Sequence, residues 1–147
     1  MVRLIVKVSK ELDPLPYLIS KLKKSPEVGS ISIFIGVVRG KGEGGERVIK
    51  LEYDHHPYLA RKVLERIVKE AIEEYGLIDA IAEHRVGEVK AGEEALYVLV
   101  ASKHREEGFK ALKRIVEGIK SKVPIWKKEV TDKGCRWVRG KLRGGHS

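Results

Sequence analysis

Apolar and charged residues alternate at the start of the chain. Val2, Leu4, Val6 and Val8 enclose Arg3 and Lys7, and this period of two predicts a strand over residues 1–8. The period then lengthens. Asp13 is placed to cap a short helix and Pro14 suits its first turn, while Leu15, Leu18, Ile19 and Leu22 recur at helical spacing and Ser25-Pro26 closes it. Residues 31–38 are an apolar, β-branched run and predict a strand. Arg39 follows, then a loop rich in glycine, then a second strand over residues 48–53. These two strands are expected to pair as a hairpin across the glycines.

A helix over about residues 58–75 is expected to turn Leu59, Val63, Ile67 and Ile72 inward, with Gly76 as its C-terminal stop. Strands follow near residues 78–86 and 95–102, joined through 89–93. The next helix, roughly 106–121, carries Phe109, Leu112, Ile115, Val116 and Ile119 as a buried stripe. Val123 precedes Pro124 and is biased to extended geometry, so the helix should end there. Residues 125–130 and 135–138 predict a last hairpin, turned at Asp132-Lys133-Gly134. The pattern is that of one α+β domain over residues 1–140, with mostly antiparallel, hairpin-linked strands and two long helices. Residues 141–147 read as a basic, mobile tail.

With 147 residues the chain is long enough to bury a core. Its 30 Lys and Arg against 21 Asp and Glu leave a formal charge of +9, which favours an anionic partner without choosing which. Asn and Gln are both absent while Lys and Glu abound, the compositional mark of a thermophile. A single cysteine, Cys135, excludes an internal disulfide framework. No leader and no apolar run long enough for a membrane span is visible, so a soluble, cytoplasmic protein is expected.

Candidate chemistry concentrates in Lys120-Ser121-Lys122-Val123-Pro124-Ile125-Trp126-Lys127-Lys128-Glu129, where four lysines surround one proline and one tryptophan. A pocket for an anionic substrate accounts for that grouping: the proline fixes the path, the tryptophan excludes water and the ammonium groups face in. Two basic pairs at expected element ends, His84-Arg85 and His104-Arg105, are placed to complete it. At His104-Arg105 the helix start favours an anion, although Ser102 as a simple cap reads equally well. Arg39 is either an anion ligand or the point where its strand reaches water. Other features carry less. Gly40, Gly42 and Gly45 spell a dinucleotide fingerprint, but a strand follows instead of the helix that would hold a pyrophosphate. Adjacent His55 and His56 point apart and lack companions at metal-ligand spacing. Cys135 reads as a small buried hydrophobe.

The blocks Phe34-Ile35-Gly36-Val37-Val38-Arg39, Leu51-Glu52-Tyr53 leading to Leu59-Ala60, His84-Arg85-Val86-Gly87, His104-Arg105 with Phe109, and Lys120 through Glu129 followed by Arg136-Trp137-Val138 occur in a familiar order. Together they resemble the family of large, catalytic subunits of molybdopterin synthase, across nearly the whole chain. The resemblance implies an α/β-hammerhead-like fold and a sulfurtransferase of molybdenum- or tungsten-cofactor biosynthesis. Such an enzyme converts a cyclic pyranopterin monophosphate into dithiolene-bearing molybdopterin. It implies a small ubiquitin-like partner whose C-terminal Gly-Gly thiocarboxylate supplies the sulfur, a homodimer, and a heterotetramer with that carrier. Lys120 and Lys127 match the family's catalytic lysines. Val37, Val38, Arg39, His104, Arg105, Lys128 and Glu129 match its substrate-binding set. No metal and no resident cofactor are implied.

The chain departs from the family at His56, where tyrosine is common, and at Leu59, where methionine is. Its end, Gly144-Gly145-His146-Ser147, does not finish on glycine as a thiocarboxylate carrier must. The competing readings are a nucleic-acid-binding module, which explains the charge but asks for exposed aromatics interleaved with the cations, and a scaffold for an acidic partner.

Overall fold

The structure, a computed structural model, describes residues 5–138; the expected tail and the first residues of the expected opening strand lie outside the described residues. The strands are β1 (Val6–Ser9), β2 (Ser30–Val37), β3 (Val48–His55), β4 (Asp79–Arg85), β5 (Gly87–Lys90), β6 (Glu94–Ser102), β7 (Ile125–Thr131) and β8 (Gly134–Val138). The helices are α1 (Leu15–Leu22), α2 (Leu59–Tyr75) and α3 (Arg105–Lys122). Two four-stranded sheets result, ordered β1-β4-β6-β2 and β5-β3-β7-β8. Among the described residues only β1 and β4 pair in parallel. The α+β architecture is therefore as expected.

The first sheet is a middle layer. Ala80, Ala82, Leu96, Val98 and Val100 face α2 and α3, where Leu64, Val68, Ile115 and Ile119 close the main core. Ile81, Tyr97, Leu99 and Ala101 point the other way, onto Leu18 and Leu22 of α1. A third cluster, Val38, Val48, Leu51, Val89 and Ala95, fastens the second sheet to the end of the first. No helix among the described residues is long and apolar enough to cross a membrane.

Several local expectations are corrected. β2 and β3 do not form a hairpin: β2 pairs with β6, β3 pairs with β5 and β7, and only a bridge between Lys41 and Arg47 joins the loop's two arms. The reason lies in their patterns. β2 is apolar on both sides and belongs between α1 and α3, whereas Lys50 and Glu52 of β3 alternate with Leu51 and Tyr53 and suit a sheet covered on one face. β5 lies where a plain connection was expected. Asp13 does not cap α1; its carboxylate takes the Lys7 ammonium at 2.8 Å.

The expected stripes pack on the core at Val63, Ile67, Ile72, Leu112, Ile115, Val116 and Ile119, but not at the first position of either stripe. α2 buries Ala60, Leu64, Val68 and Ala71 and leaves Leu59 45 % exposed; α3 buries Gly108, Ala111, Ile115 and Ile119 and leaves Phe109 59 % exposed. Small residues let a helix lie close to a sheet. A Cβ on Gly108 would stand 2.7 Å from Ser102 Oγ, so this helix start fits its strand only with glycine there. Gly76 ends α2 with φ +61°, and Val123 ends α3 in extended geometry, both as expected. The β7–β8 hairpin is also as expected, but Cys135 on it is exposed rather than buried.

Candidate active site

Where the two sheets meet, side chains from four elements converge on His84. The residue sits near the end of β4, half-buried, with its neighbours in register Val8 of β1 and Leu96 of β6. The Tyr53 ring of β3 meets its ring edge-on, with centroids 5.3 Å apart and planes at 79°. Lys127 of β7 lies directly across from Tyr53, so β3 and β7 deliver a phenol and an ammonium side by side. Lys120 enters from the last turn of α3, its Nζ 5.8 Å from the centre of the Phe34 ring on β2.

The electrostatics follow from that crowding. Burial pushes the His84 pKa down to about 4; the Arg85 carbonyl pulls it up, and Lys127, Lys120 and His55 add smaller downward pushes. At neutral pH the imidazole is uncharged. Burial likewise pushes the Tyr53 phenol up to about 12, so it keeps its proton. The site thus offers two cationic side chains, an uncharged imidazole and a phenol, arranged around an apolar floor. That set can attract an anion, stabilise oxygen that gains negative charge, and move a proton.

The remaining expected residues fall into separate places. Lys128 and Trp126 point to the opposite face of β7 from Lys127, because neighbours on a strand alternate. Lys128 pairs with Glu52 at 3.2 Å and lies over the Trp137 ring, while Trp126 is 50 % exposed and does not close a pocket around Lys127. Glu129 shares the face of Lys127 but is held by Arg136 at 3.2 Å, which also reaches Glu46 at 3.4 Å. Val38 is buried at the junction of the sheets, its N–H donating to the Glu93 carbonyl; Val37 and Arg39 are exposed at that same end of β2.

His104 and Arg105 stand at the other end. Ser30, the first residue of β2, pairs with Ser102, and α3 then returns from Arg105 to Lys120, a rise of about 22 Å along the helix. The start of α3 is already satisfied by an anion of its own, since the Glu107 carboxylate accepts the His104 N–H at 3.1 Å. Ser102 does not cap a free N–H; its hydroxyl donates to the His104 carbonyl at 2.6 Å. One copy of the chain therefore joins Lys120, Lys127 and Arg39 at one end of the sheet, and keeps His104 and Arg105 at the other.

His55 and His56 part company as their adjacency requires. His55 lies near enough to His84 to influence it, whereas His56 Nδ1 accepts the Leu59 N–H at 3.1 Å and so starts α2. No cluster of three or more metal-ligating side chains exists among the described residues. Tyr53, His55 and Phe34 were absent from the expected site. Two of them lay within the resembling blocks, but only the topology reveals that β3 crosses beside β4.

The chain matches the MoaE protein family over residues 9–122. It is 43 % identical over 119 residues to the molybdopterin synthase catalytic subunit of Pyrococcus abyssi, covering 81 % of this chain and 80 % of that one. The corresponding subunit of Bacillus subtilis is 37 % identical over 125 residues, 85 % of this chain and 78 % of its own. Among solved structures, molybdopterin synthase from Staphylococcus aureus superposes with a TM-score of 0.80 at 28 % identity, covering 95 % of this chain and 98 % of that one.

Proposed function

The chain belongs to the MoaE family, and from that membership we propose that Lys120 and Lys127 carry out the sulfur transfer that makes molybdopterin from a cyclic pyranopterin monophosphate. The observation that carries this reading is the convergence of those two lysines, from a helix end and a strand of the other sheet, on one uncharged histidine. The substrate carries a phosphate, and opening its ring develops negative charge on oxygen. Fixed ammonium groups beside an apolar floor stabilise such charge more than water does. The sulfur arrives on a small partner's C-terminal thiocarboxylate, already activated, so an exposed Cys135 on a distant hairpin has no part in the chemistry.

The homodimer expected from the resemblance has a physical use. His104 and Arg105 suit the pterin phosphate but stand about 22 Å along α3 from Lys120. β2 is the last strand of its sheet among the described residues, with Ile35 and Val37 exposed, and such an apolar edge invites another strand. Antiparallel pairing with β2 of a second copy sets the Ser30 end of one beside the Val37 end of the other. His104 and Arg105 of the second copy then approach Arg39 and Lys120 of the first.

The nucleic-acid alternative meets an obstacle on the one surface that resembles it. Trp126 and Trp137 are exposed beside Lys128, but Lys128 is paired with Glu52, and Lys50 on the same face with Glu52 and Glu88. Those carboxylates would repel a phosphate backbone.

Reconstitution tests the proposal: this chain, a thiocarboxylated small carrier and the cyclic pterin, assayed for dithiolene product. Lys120→Ala and Lys127→Ala should each lower turnover about 10²–10³-fold, the usual cost of one preorganised donor, while the protein stays folded. Near-normal product from either variant removes that lysine from the mechanism.

A further inference from the structure

His84 is tied at Nδ1 to its own backbone, and its other nitrogen is left to whatever the surrounding side chains present. Its Nδ1 lies 2.7 Å from the Arg85 carbonyl, an atom that only accepts, so Nδ1 carries the ring proton. The edge-on Tyr53 ring and the apolar neighbours Val8 and Leu96 hold the imidazole's plane. Nε2 is left as an acceptor with no proton. The ammonium groups of Lys127 from β7 and Lys120 from α3 both act on the ring and push its pKa down. An ordinary histidine gains nothing from such a place, because protonation would add another like charge to the cluster. An acceptor that stays uncharged at neutral pH does fit there.

We propose that His84 is a positioning residue of the lysine pair: held as the Nδ1–H tautomer by its own backbone, it presents Nε2 as a neutral acceptor that orients an ammonium group of Lys120 or Lys127 and keeps it protonated. The inference rests on the reading of those lysines as the working pair. A hydrogen bond to the charged form favours that form, so the acceptor raises the pH at which the lysine loses its proton. The direct effect on the reaction is on turnover, because the ammonium acts on the developing charge and not on the substrate's phosphate.

Two measurements test it on the full chain. The first is nitrogen NMR of histidine-labelled protein. His84 should show a protonated Nδ1 and a bare Nε2 at neutral pH, and should begin to take a proton only in acid. In Lys127→Ala that protonation should move to higher pH, since one repelling charge is gone. A protonated Nε2 at neutral pH, or no movement in the variant, overturns the proposal.

The second compares His84→Phe, which keeps a ring against Tyr53 but has no acceptor, with His84→Gln, which restores one near the Nε2 position. In the reconstituted reaction His84→Phe should lower kcat about tenfold and shift the alkaline limb of the pH–rate profile down by about one pH unit, with KM for the pterin unchanged. His84→Gln should recover much of both. A His84→Phe profile that superposes on the wild type, or a loss expressed only in KM, overturns the assignment. The NMR result does not depend on turnover. A wild-type chain that makes no product therefore sinks the sulfur-transfer reading, while the tautomer still decides the role of His84.

Discussion

Glu83 and His84 are neighbours on β4, and the strand's alternation sends them to opposite faces of the first sheet. Glu83 turns toward α1. It is only 4 % exposed, accepts the Asp13 N–H at 2.8 Å, and lies across from Lys7 of β1 and Tyr97 of β6. Burial, then the adjoining Asp13 carboxylate, push its pKa up to about 7. His84 turns toward α3 and the second sheet, where burial and two lysines push its pKa down to about 4. One cause, the cost of charge away from water, shifts both residues toward their neutral forms. Their partners distinguish them. Glu83 is enclosed by groups of its own chain, with Lys7 held by Asp13 at 2.8 Å, so its bonds are complete. His84 stands beside the ammonium groups of Lys127 and Lys120, which push its pKa down. Perturbation alone does not mark a functional site; perturbation where side chains of several elements gather at the meeting of two sheets is the stronger sign.

The sharpest way to break this contrast is to remove one cation from each face. Lys127→Ala should reduce dithiolene formation about 10²–10³-fold with the thermal midpoint nearly unchanged. Lys7→Ala, although it breaks the ion pair with Asp13 at 2.8 Å, should leave turnover per folded molecule as it was. Equal losses in kcat from both would erase the distinction.

A smaller effect tests whether the His84 face needs a second copy, as the Glu83 face does not. Arg105→Ala and Lys127→Ala should each be nearly inactive alone. When the two are mixed and their subunits exchange, half of the dimers are hybrids with one intact site, so about a quarter of wild-type activity should return. No recovery, with exchange verified by mass, would place both residues in one subunit's site or exclude Arg105 from it.

On the α1 face the expected loss is in stability. Glu83→Ala leaves the Asp13 N–H without its carboxylate acceptor and should cost about 1–3 kcal/mol in chemical denaturation. Activity of the remaining folded protein should be unaltered.

Much of this was legible in the residues. The strands with one clear period, the ends of α3 and the β7–β8 hairpin follow from local chemistry, because Pro124 and Gly134 permit little else. The stripes of α2 and α3 were legible except at Leu59 and Phe109, where apolar bulk drew attention while the sheet selected the small residues Ala60, Gly108 and Ala111 for close approach. The β2–β3 pairing was misjudged because adjacency in sequence says nothing about which sheet a strand joins. For the site, Lys120 and Lys127 stood out by their setting, and His84 by its place in a basic pair. That Lys128 turns away follows from alternation. The separation of His104 from Lys120 needed the fold, since only the return path of α3 reveals it.

The two faces should also answer acid in opposite senses. Glu83 has an unfolded pKa near 4.5 and a folded one near 7, so between them the folded chain binds the extra proton. Its contribution is full below about pH 4.5 and is lost as pH rises through 7. His84 runs the other way, from 6.5 unfolded to about 4 folded; its contribution is full above pH 6.5 and is lost as pH falls through 4. Across pH 5 to 6 the two slopes nearly cancel, and the wild-type denaturation midpoint should be flat with respect to these groups. Each variant exposes the other's slope. Glu83→Gln keeps an acceptor for Asp13 and removes the falling slope, so its stability should rise with pH over that window. His84→Phe removes the rising slope, and its stability should fall. Urea midpoints at half-unit pH steps measure both, and parallel curves for the two variants would show that β4 does not hold two oppositely perturbed groups.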